Sequence, residues 1–264
     1  RDRSVSRGLG DVYKRQTLMD AETAAYVEEV KIEDIYVLID RFGYVKSMDM
    51  ASFSRVSDET KKEFSYIIMM KNTDKLCLFT AQGNMYQVKA AALPKCRAKD
   101  KGTLIHSLCK MDNNEDVLMF TSFEALFETM LMFTTKSGYI KLVSGAEFDT
   151  NRAQVNATKL DEADSLVGVS CLTASEVLAG SKKVILLTDK GYSLGFPVSE
   201  VSEFKKTSRG VKAITLEKED YLVYAGAVTP QEETFEYGGK VYSARKVRNR
   251  KRAAKGQKAN LSLK

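Results

Sequence analysis

The chain is short of the residues from which metal and covalent sites are built. Its 264 residues include a single histidine, His106, and four cysteines, Cys77, Cys96, Cys109 and Cys171, with no Cys-x-x-Cys pair. A structural zinc site takes four closely spaced ligands, so this set argues against one. Three of the cysteines sit in or beside apolar β-like runs, where a free thiol acts as a small hydrophobe. Unpaired thiols fit a reduced, cytoplasmic compartment. His106 lies in Gly102-Thr103-Leu104-Ile105-His106-Ser107-Leu108 with no Ser or Cys motif beside it, which points to a packed or surface side chain. No nucleophile–base pair or phosphate loop appears elsewhere, so no catalytic residue and no metal ligand is assigned.

Long hydrophobic runs are missing too. None approaches the roughly 18 residues needed to span a membrane, and the N-terminus lacks the basic, apolar, small order of a secretory signal. The net charge of +6 is unevenly spread. Residues 240–264 carry ten basic side chains and no acid, whereas 17–239 hold 26 basic against 33 acidic ones. Polyanion binding must therefore be argued from where the body's Lys and Arg cluster, and not from the overall balance.

What is present is a repeated β-hairpin. Leu131–Leu142 runs as β-formers, then Thr135-Lys136-Ser137-Gly138, then a strand in which Ile140 and Leu142 share one face and Tyr139 and Lys141 the other. This predicts a hairpin with one buried face, closed by a three-residue loop whose last residue, Gly138, takes a left-handed conformation. The unit recurs at Asp40-Arg41-Phe42-Gly43, Thr80-Ala81-Gln82-Gly83 and Thr188-Asp189-Lys190-Gly191. The four glycines are 40, 55 and 53 residues apart. Repeats of about 40–50 residues built of strands suggest propeller-like blades of four strands, with an all-β sandwich of similar hairpins as the alternative. The chain is long enough to bury a sizeable core in either case.

Between hairpins each repeat has two parts. Acidic turns, Asp112–Asp116, Asp161–Asp164 and Glu217–Asp220, precede apolar strands and read as local caps; their spacing does not make a calcium loop. Tyr66–Met70 reads as a fully buried strand. The intervening loops carry positive charge, notably Lys95–Gly102, Arg152 with Lys159, and Lys205–Lys212. Equivalent loops of successive blades would share one rim, although solvated loops without function fit the same residues.

The ends stand apart. Residues 1–16 have no apolar period and resemble a translated sequencing adapter, so they are set aside as a non-native leader. Residues 17–34 read as an acidic linker. Glu232–Ser243 reads as a degenerate fifth hairpin with a Gly238-Gly239 turn. Residues 245–264 are basic with almost no large apolar side chain, which predicts a disordered tail. The repeats thus occupy 35–244.

These residues resemble a known family. Gly43-Tyr44-Val45-Lys46, Leu78-Phe79-Thr80-x-x-Gly83, Ala92-Leu93-Pro94 followed by Lys101-Gly102, and Thr188-Asp189-Lys190-Gly191-Tyr192 leading to Ser208-Arg209-Gly210-Val211-Lys212 are similar to the C-terminal domain of bacterial type IIA topoisomerase A subunits, over about 27–244. The resemblance implies an all-β β-pinwheel, a propeller-like disc of about five four-stranded blades that exchange strands. It implies a basic rim that binds and bends double-stranded DNA. Partners would be the remainder of the A subunit, together with its ATPase B subunit, with no membrane, in a cytoplasmic, nucleoid-associated setting. The DNA-cleaving tyrosine, ATP and magnesium belong to other parts of such a holoenzyme, so no cofactor is expected in this chain. Gyrase A subunits carry a Gln-Arg-Arg-Gly-rich box in the first blade's outer loop. Here Phe53–Lys62 stands at that place with two acids, which favours the A subunit of a topoisomerase IV, working in relaxation and decatenation.

The expected DNA contacts are Arg41, Lys46, Arg55, Lys89, Arg97, Lys99, Lys101, Lys136, Arg152, Lys190, Lys205, Lys206, Arg209 and Lys212, with Arg248, Arg250, Lys251 and Arg252 from the tail. Lys136 and Lys190 sit on hairpin tips instead of inter-repeat loops and are the weakest of the set. The rival reading is a protein-interaction propeller whose acidic body docks a partner and whose basic tail tethers nucleic acid.

Overall fold

The computed structural model describes residues 31–229 and 234–258. The chain divides into two units, 1–33 and 34–264. The leader and almost all of the linker lie outside the described residues, and the second unit carries the repeats.

Four hairpins form as the repeat predicts: β1 (Asp34–Asp40) with β2 (Tyr44–Asp49), β4 (Lys75–Thr80) with β5 (Asn84–Lys89), β8 (Thr129–Thr135) with β9 (Tyr139–Ser144), and β12 (Lys183–Thr188) with β13 (Tyr192–Pro197). Their turns share one geometry. Gly43, Gly83, Gly138 and Gly191 have φ of +82°, +79°, +85° and +79°. Each glycine N–H donates to the carbonyl three residues back, at 3.0–3.1 Å. The first turn side chain adds a second bond: Thr135 Oγ1 accepts from Tyr139 N at 3.3 Å, and Asp40 Oδ1 accepts from Tyr44 N at 3.0 Å.

Each hairpin becomes a four-stranded antiparallel sheet by taking in two further strands. The remaining strands are β3 (Phe64–Lys71), β6 (Thr103–Leu104), β7 (Val117–Ser122), β10 (Gln154–Asn156), β11 (Leu166–Thr173), β14 (Val211–Lys212), β15 (Leu222–Val228) and β18 (Gln257–Lys258). The sheet orders are β3-β1-β2-β6, β10-β5-β4-β7, β11-β8-β9-β14 and β15-β12-β13-β18. β6 follows the second hairpin in sequence yet completes the first sheet, and β10, β14 and β18 likewise return to the preceding sheet. This is the strand exchange that the resemblance implies. The third strands β3, β7, β11 and β15 are neighbours in series, so the returning strands form the opposite edge of each sheet.

The cores lie between consecutive sheets, and each inner hairpin therefore buries both faces. Leu76 and Leu78 pack with Val37 and Ile39, while Cys77 and Phe79, one residue out of phase, pack with Leu131 and Phe133. Met132 and Leu142 join Val184 and Leu186 in the next core, and Ile185 and Leu187 join Phe235 and Val247 in the last. Phe79 meets Phe133 and Phe148 edge-on at 5.7 and 5.3 Å. The single buried face expected for Leu131–Leu142 is thus corrected to two. Lys141, expected on an open face, is 1% exposed.

Tyr66–Met70, expected to be fully buried, alternates instead, with Met69 57% exposed, because among the described residues the first sheet packs against a neighbouring sheet on one side only. The fifth repeat is a two-stranded hairpin, β16 (Thr234–Tyr237) with β17 (Lys240–Ser243), turning on Gly238 and Gly239 at φ +58° and +70°. Over 245–258 the tail differs from expectation, and its residues 259–264 lie outside the described ones. Val247 is buried, Asn249 bridges Gly195, Lys255 bridges Thr215, and β18 pairs with β13. A sparse apolar composition suffices there because the preceding sheet supplies both the hydrogen-bond edge and the core.

The cysteines are all free, and burial pushes the Cys77 and Cys109 thiols up to about 12. His106 Nε2 lies 3.0 Å from the Glu115 carbonyl oxygen. Among the described residues no helix is long and apolar enough to cross a membrane, and no group of His, Cys, Asp and Glu could hold a metal ion.

Candidate nucleic-acid interface

Three loops of equal length, 95–102, 203–210 and 249–256, lead into the returning strands β6, β14 and β18. They begin on equivalent parallel bridges, Ser47 to Lys95, Leu142 to Glu203 and Gly195 to Asn249. They turn on equivalent bonds: Asp100 N to Arg97 O at 3.0 Å, Ser208 N to Lys205 O at 3.0 Å, and Ala254 N to Lys251 O at 3.2 Å. They close on Gly102, Gly210 and Gly256. A Cβ on Gly102 or Gly210 would stand 2.5 Å from Val45 O or 2.6 Å from Ile140 O, so the loop can reach its strand only without a side chain. Position by position, Arg97, Lys205 and Lys251 are equivalent, as are Lys101, Arg209 and Lys255.

The final cation of each loop is set by its neighbours. The Lys101 ammonium lies 4.3 Å over the Tyr44 ring, and the Arg209 guanidinium lies 3.8 Å over Tyr139. These are the aromatic residues that follow the turn glycines. Arg209 also pairs with Asp161 at 2.8 Å, and Lys255 with Glu217 at 3.1 Å. Lys206 and Arg252 turn inward at one equivalent position. Lys206 Nζ donates to Glu147 O at 2.6 Å, and Arg252 donates to Glu200 O at 2.9 Å and Lys212 O at 2.7 Å.

The expected contact residues therefore separate. Arg97, Lys99, Lys101, Lys205, Arg209, Lys212, Arg248, Arg250 and Lys251 are exposed on or beside the three loops. Arg41, over Phe42 at 4.7 Å, joins Lys62, Lys99 and Lys101 in one 570 Å³ cleft that Asp40, Glu63 and Asp100 also line. Lys46 is 4% exposed and its ammonium is taken up by the carbonyls of Ala98 and Asp100, so it has no surface to offer. Burial holds its pKa below the ordinary lysine range. Lys136 is half-buried over Tyr221, and Lys190 donates to Lys218 O at 2.6 Å; both hairpin tips lie against acidic turns. Asp164 Oδ1 accepts from Ser137 N, and Asp220 Oδ1 from Lys190 N. Lys89 is exposed at the end of β5, and Arg55 follows the helix Met50–Ser54. Arg152 is exposed on the second sheet, where the loop is shorter and Gln87 holds the carbonyls of Thr150 and Arg152.

Lys255 and Lys258 were not in the expected set. Lys258 lines a 520 Å³ cleft with Lys246, Arg248, Ser193 and Gln257. The signal for Lys255 was legible: Lys255-Gly256 repeats the basic-Gly pair of Lys101-Gly102 and Arg209-Gly210.

The repeat also matches a known family, described as the DNA gyrase C-terminal domain, beta-propeller, over residues 74–120, 129–173, 182–229 and 238–264. The chain belongs to this family. The gyrase C-terminal domain match begins each segment at or near a hairpin strand of the second to fifth repeats. Related sequences include the A subunits of both enzymes of the class. The DNA gyrase A subunit of Helicobacter pylori J99 is 29% identical over 84% of this chain and 30% of its own length. The DNA topoisomerase 4 A subunit of Bacillus subtilis is 28% identical over 79% of this chain and 27% of its own. The chain thus spans less than a third of either relative. Among solved structures, a DNA topoisomerase IV C-terminal domain superposes with a TM-score of 0.71 at 26% identity, over 86% of this chain and 73% of that one. The E. coli ParC C-terminal domain, at 17% identity and TM-score 0.63 over 85% of this chain and 93% of that one, shares the fold.

Proposed function

We propose that this chain binds and bends duplex DNA as the C-terminal domain of a type IIA topoisomerase A subunit, guiding DNA for strand passage without performing the chemistry. The observation that carries this reading is the recurrence of Arg97, Lys205 and Lys251, and of Lys101, Arg209 and Lys255, at equivalent places on one edge of three sheets. Evenly repeated cations suit a backbone of evenly repeated phosphates, and among the described residues no element is shaped for groove readout, so sequence preference is slight. Bending a 20–30 base-pair site by 40–90° costs on the order of 1–6 kcal/mol, which several phosphate contacts together offset. The remainder of the A subunit, the ATPase B subunit, ATP and magnesium belong to the holoenzyme in which this domain would act.

Relaxation and decatenation, as in topoisomerase IV, fit better than supercoiling. The segment that would hold the gyrase box is taken up by the helices Met50–Ser54 and Asp58–Lys61, by Phe53 stacked on Tyr36 at 3.7 Å, and by a Lys61–Asp58 ion pair. Titration of a duplex of about 40 base pairs between 50 and 200 mM salt tests the reading, since each neutralised phosphate adds about −0.9 to the slope of log affinity on log salt. Absence of binding at low salt by the full chain would sink it. The pairing of Arg209 and Lys255 with acids favours one rival, a protein-docking propeller, in which loops 95–102 and 203–210 add nothing to the DNA affinity that the basic tail supplies.

A further inference from the structure

We propose that Lys46 and Lys141 are positioning residues for the basic loops: buried ammonium ions around which 95–102 and 203–210 are wound. The loop geometry stands alone, and only its consequence rests on the DNA-binding reading. Both lysines occupy the third residue of a second hairpin strand, three residues after the turn glycine. Lys46 Nζ donates to Ala98 O at 2.6 Å and to Asp100 O. Lys141 Nζ donates to the equivalent Lys206 O and Ser208 O at 2.8 and 2.7 Å, with Lys205 O at 3.4 Å. An ammonium has three donors and no acceptor, so it can gather several carbonyl oxygens at one point. Because the carbonyls point inward, the side chains of Arg97, Lys99 and Lys101, and of Lys205 and Arg209, are thrown outward.

A buried charge is costly unless its hydrogen bonds are made. The molecule also contains its own contrasts. In the second sheet Tyr86 stands at the lysine position, and the next residue, neutral Gln87, holds the shorter loop through Thr150 O and Arg152 O, with Lys75 Nζ also on Thr150 O. In the fourth, Leu194 stands at the lysine position, and Thr215 takes over, donating from N to Ala254 O at 3.0 Å and from Oγ1 to Ala253 O at 2.7 Å. An ammonium at this position of the second hairpin strand is thus confined to the first and third sheets, whereas Lys75 and Lys183 reach Thr150 O and Ala244 O from the first hairpin strand of the second and fourth.

The test compares the full chain with Lys141→Met, Lys141→Gln and Lys46→Met by amide exchange and by duplex titration against salt. In folded Lys141→Met, the Ser208 amide exchanges about tenfold faster or more while Asp100 is unchanged. The salt slope becomes shallower by about one to two although no surface cation was removed, and Lys141→Gln falls between the two. Lys46→Met gives the mirror result, with Asp100 as reporter, and decides the matter if Lys141→Met does not fold. Unchanged exchange overturns the proposal, as does faster exchange with an unchanged slope. If the parent chain binds no DNA, the functional reading fails while Ser208 exchange still decides whether Lys141 holds its loop.

Discussion

Arg209 lays its guanidinium 3.8 Å above the ring of Tyr139 and is held from the side by Asp161 at 2.8 Å. The ring fixes where the cation stands and the acid takes part of its charge. Lys101 has the same ring beneath it, Tyr44. Asp161→Asn therefore raises affinity for duplex DNA at low salt, by up to about fivefold, the equivalent of the 0–1 kcal/mol of an exposed ion pair. Equal affinity of the two chains would mean that Arg209 does not face the DNA.

Replacing Arg97, Lys99 and Lys101 together by Ala leaves the loop standing, because its turn bond and its two bonds to Lys46 are made by backbone carbonyls. The thermal midpoint is expected to stay within a degree or two of the parent, as for surface changes generally. The salt slope becomes shallower by about two to three. A slope equal to that of the parent would place this loop off the DNA path.

Much of this was legible before the structure. Four turn glycines, four hairpins and the fifth Gly-Gly turn follow from local conformational preference, which a sequence displays directly. The strand exchange does not. β6, β14 and β18 are two residues long and have no periodicity of their own, and their partners lie tens of residues away. The same gap hides which cations at the site turn inward. Lys46, Lys206 and Arg252 look like Arg97 and Arg209 in sequence, and only the carbonyls that meet them distinguish an inward from an outward cation. The alternation of Tyr139-Ile140-Lys141-Leu142 points Lys141 to an open face. The second core, which buries that face, belongs to neighbouring repeats.

Truncation after Ala244 tests the correction at the tail. A disordered tail could be cut without loss of stability. In the fold described here the cut removes Val247 from the last core, β18 from the edge of β13, and an acceptor of the Lys183 ammonium. Burial of a Val side chain alone is worth about 1.5–3 kcal/mol, so the thermal midpoint is expected to fall by several degrees. An unchanged midpoint would return 245–258 to the status of a tail.

The last expectation concerns pH, and its sign is unusual. Burial, partly offset by Glu147, pulls the Lys141 pKa down from 10.5 to about 8. Between about 8 and 10.5 the unfolded chain binds the proton that the folded chain has released, so stability rises with pH across that window. Below it both states are protonated and the cost of burying the charge is fully felt. The gain is at most about 3 kcal/mol. Lys46 and Lys183 are lowered by burial as well, so the measurement must be a difference. The midpoint of the parent minus that of Lys141→Met is expected to rise from pH 7.5 to pH 10, since Lys46 and Lys183 contribute equally to both chains and cancel. A difference that is flat or falling with pH would mean that the ammonium is solvated in solution, and with it the loop would be free of the anchor described above.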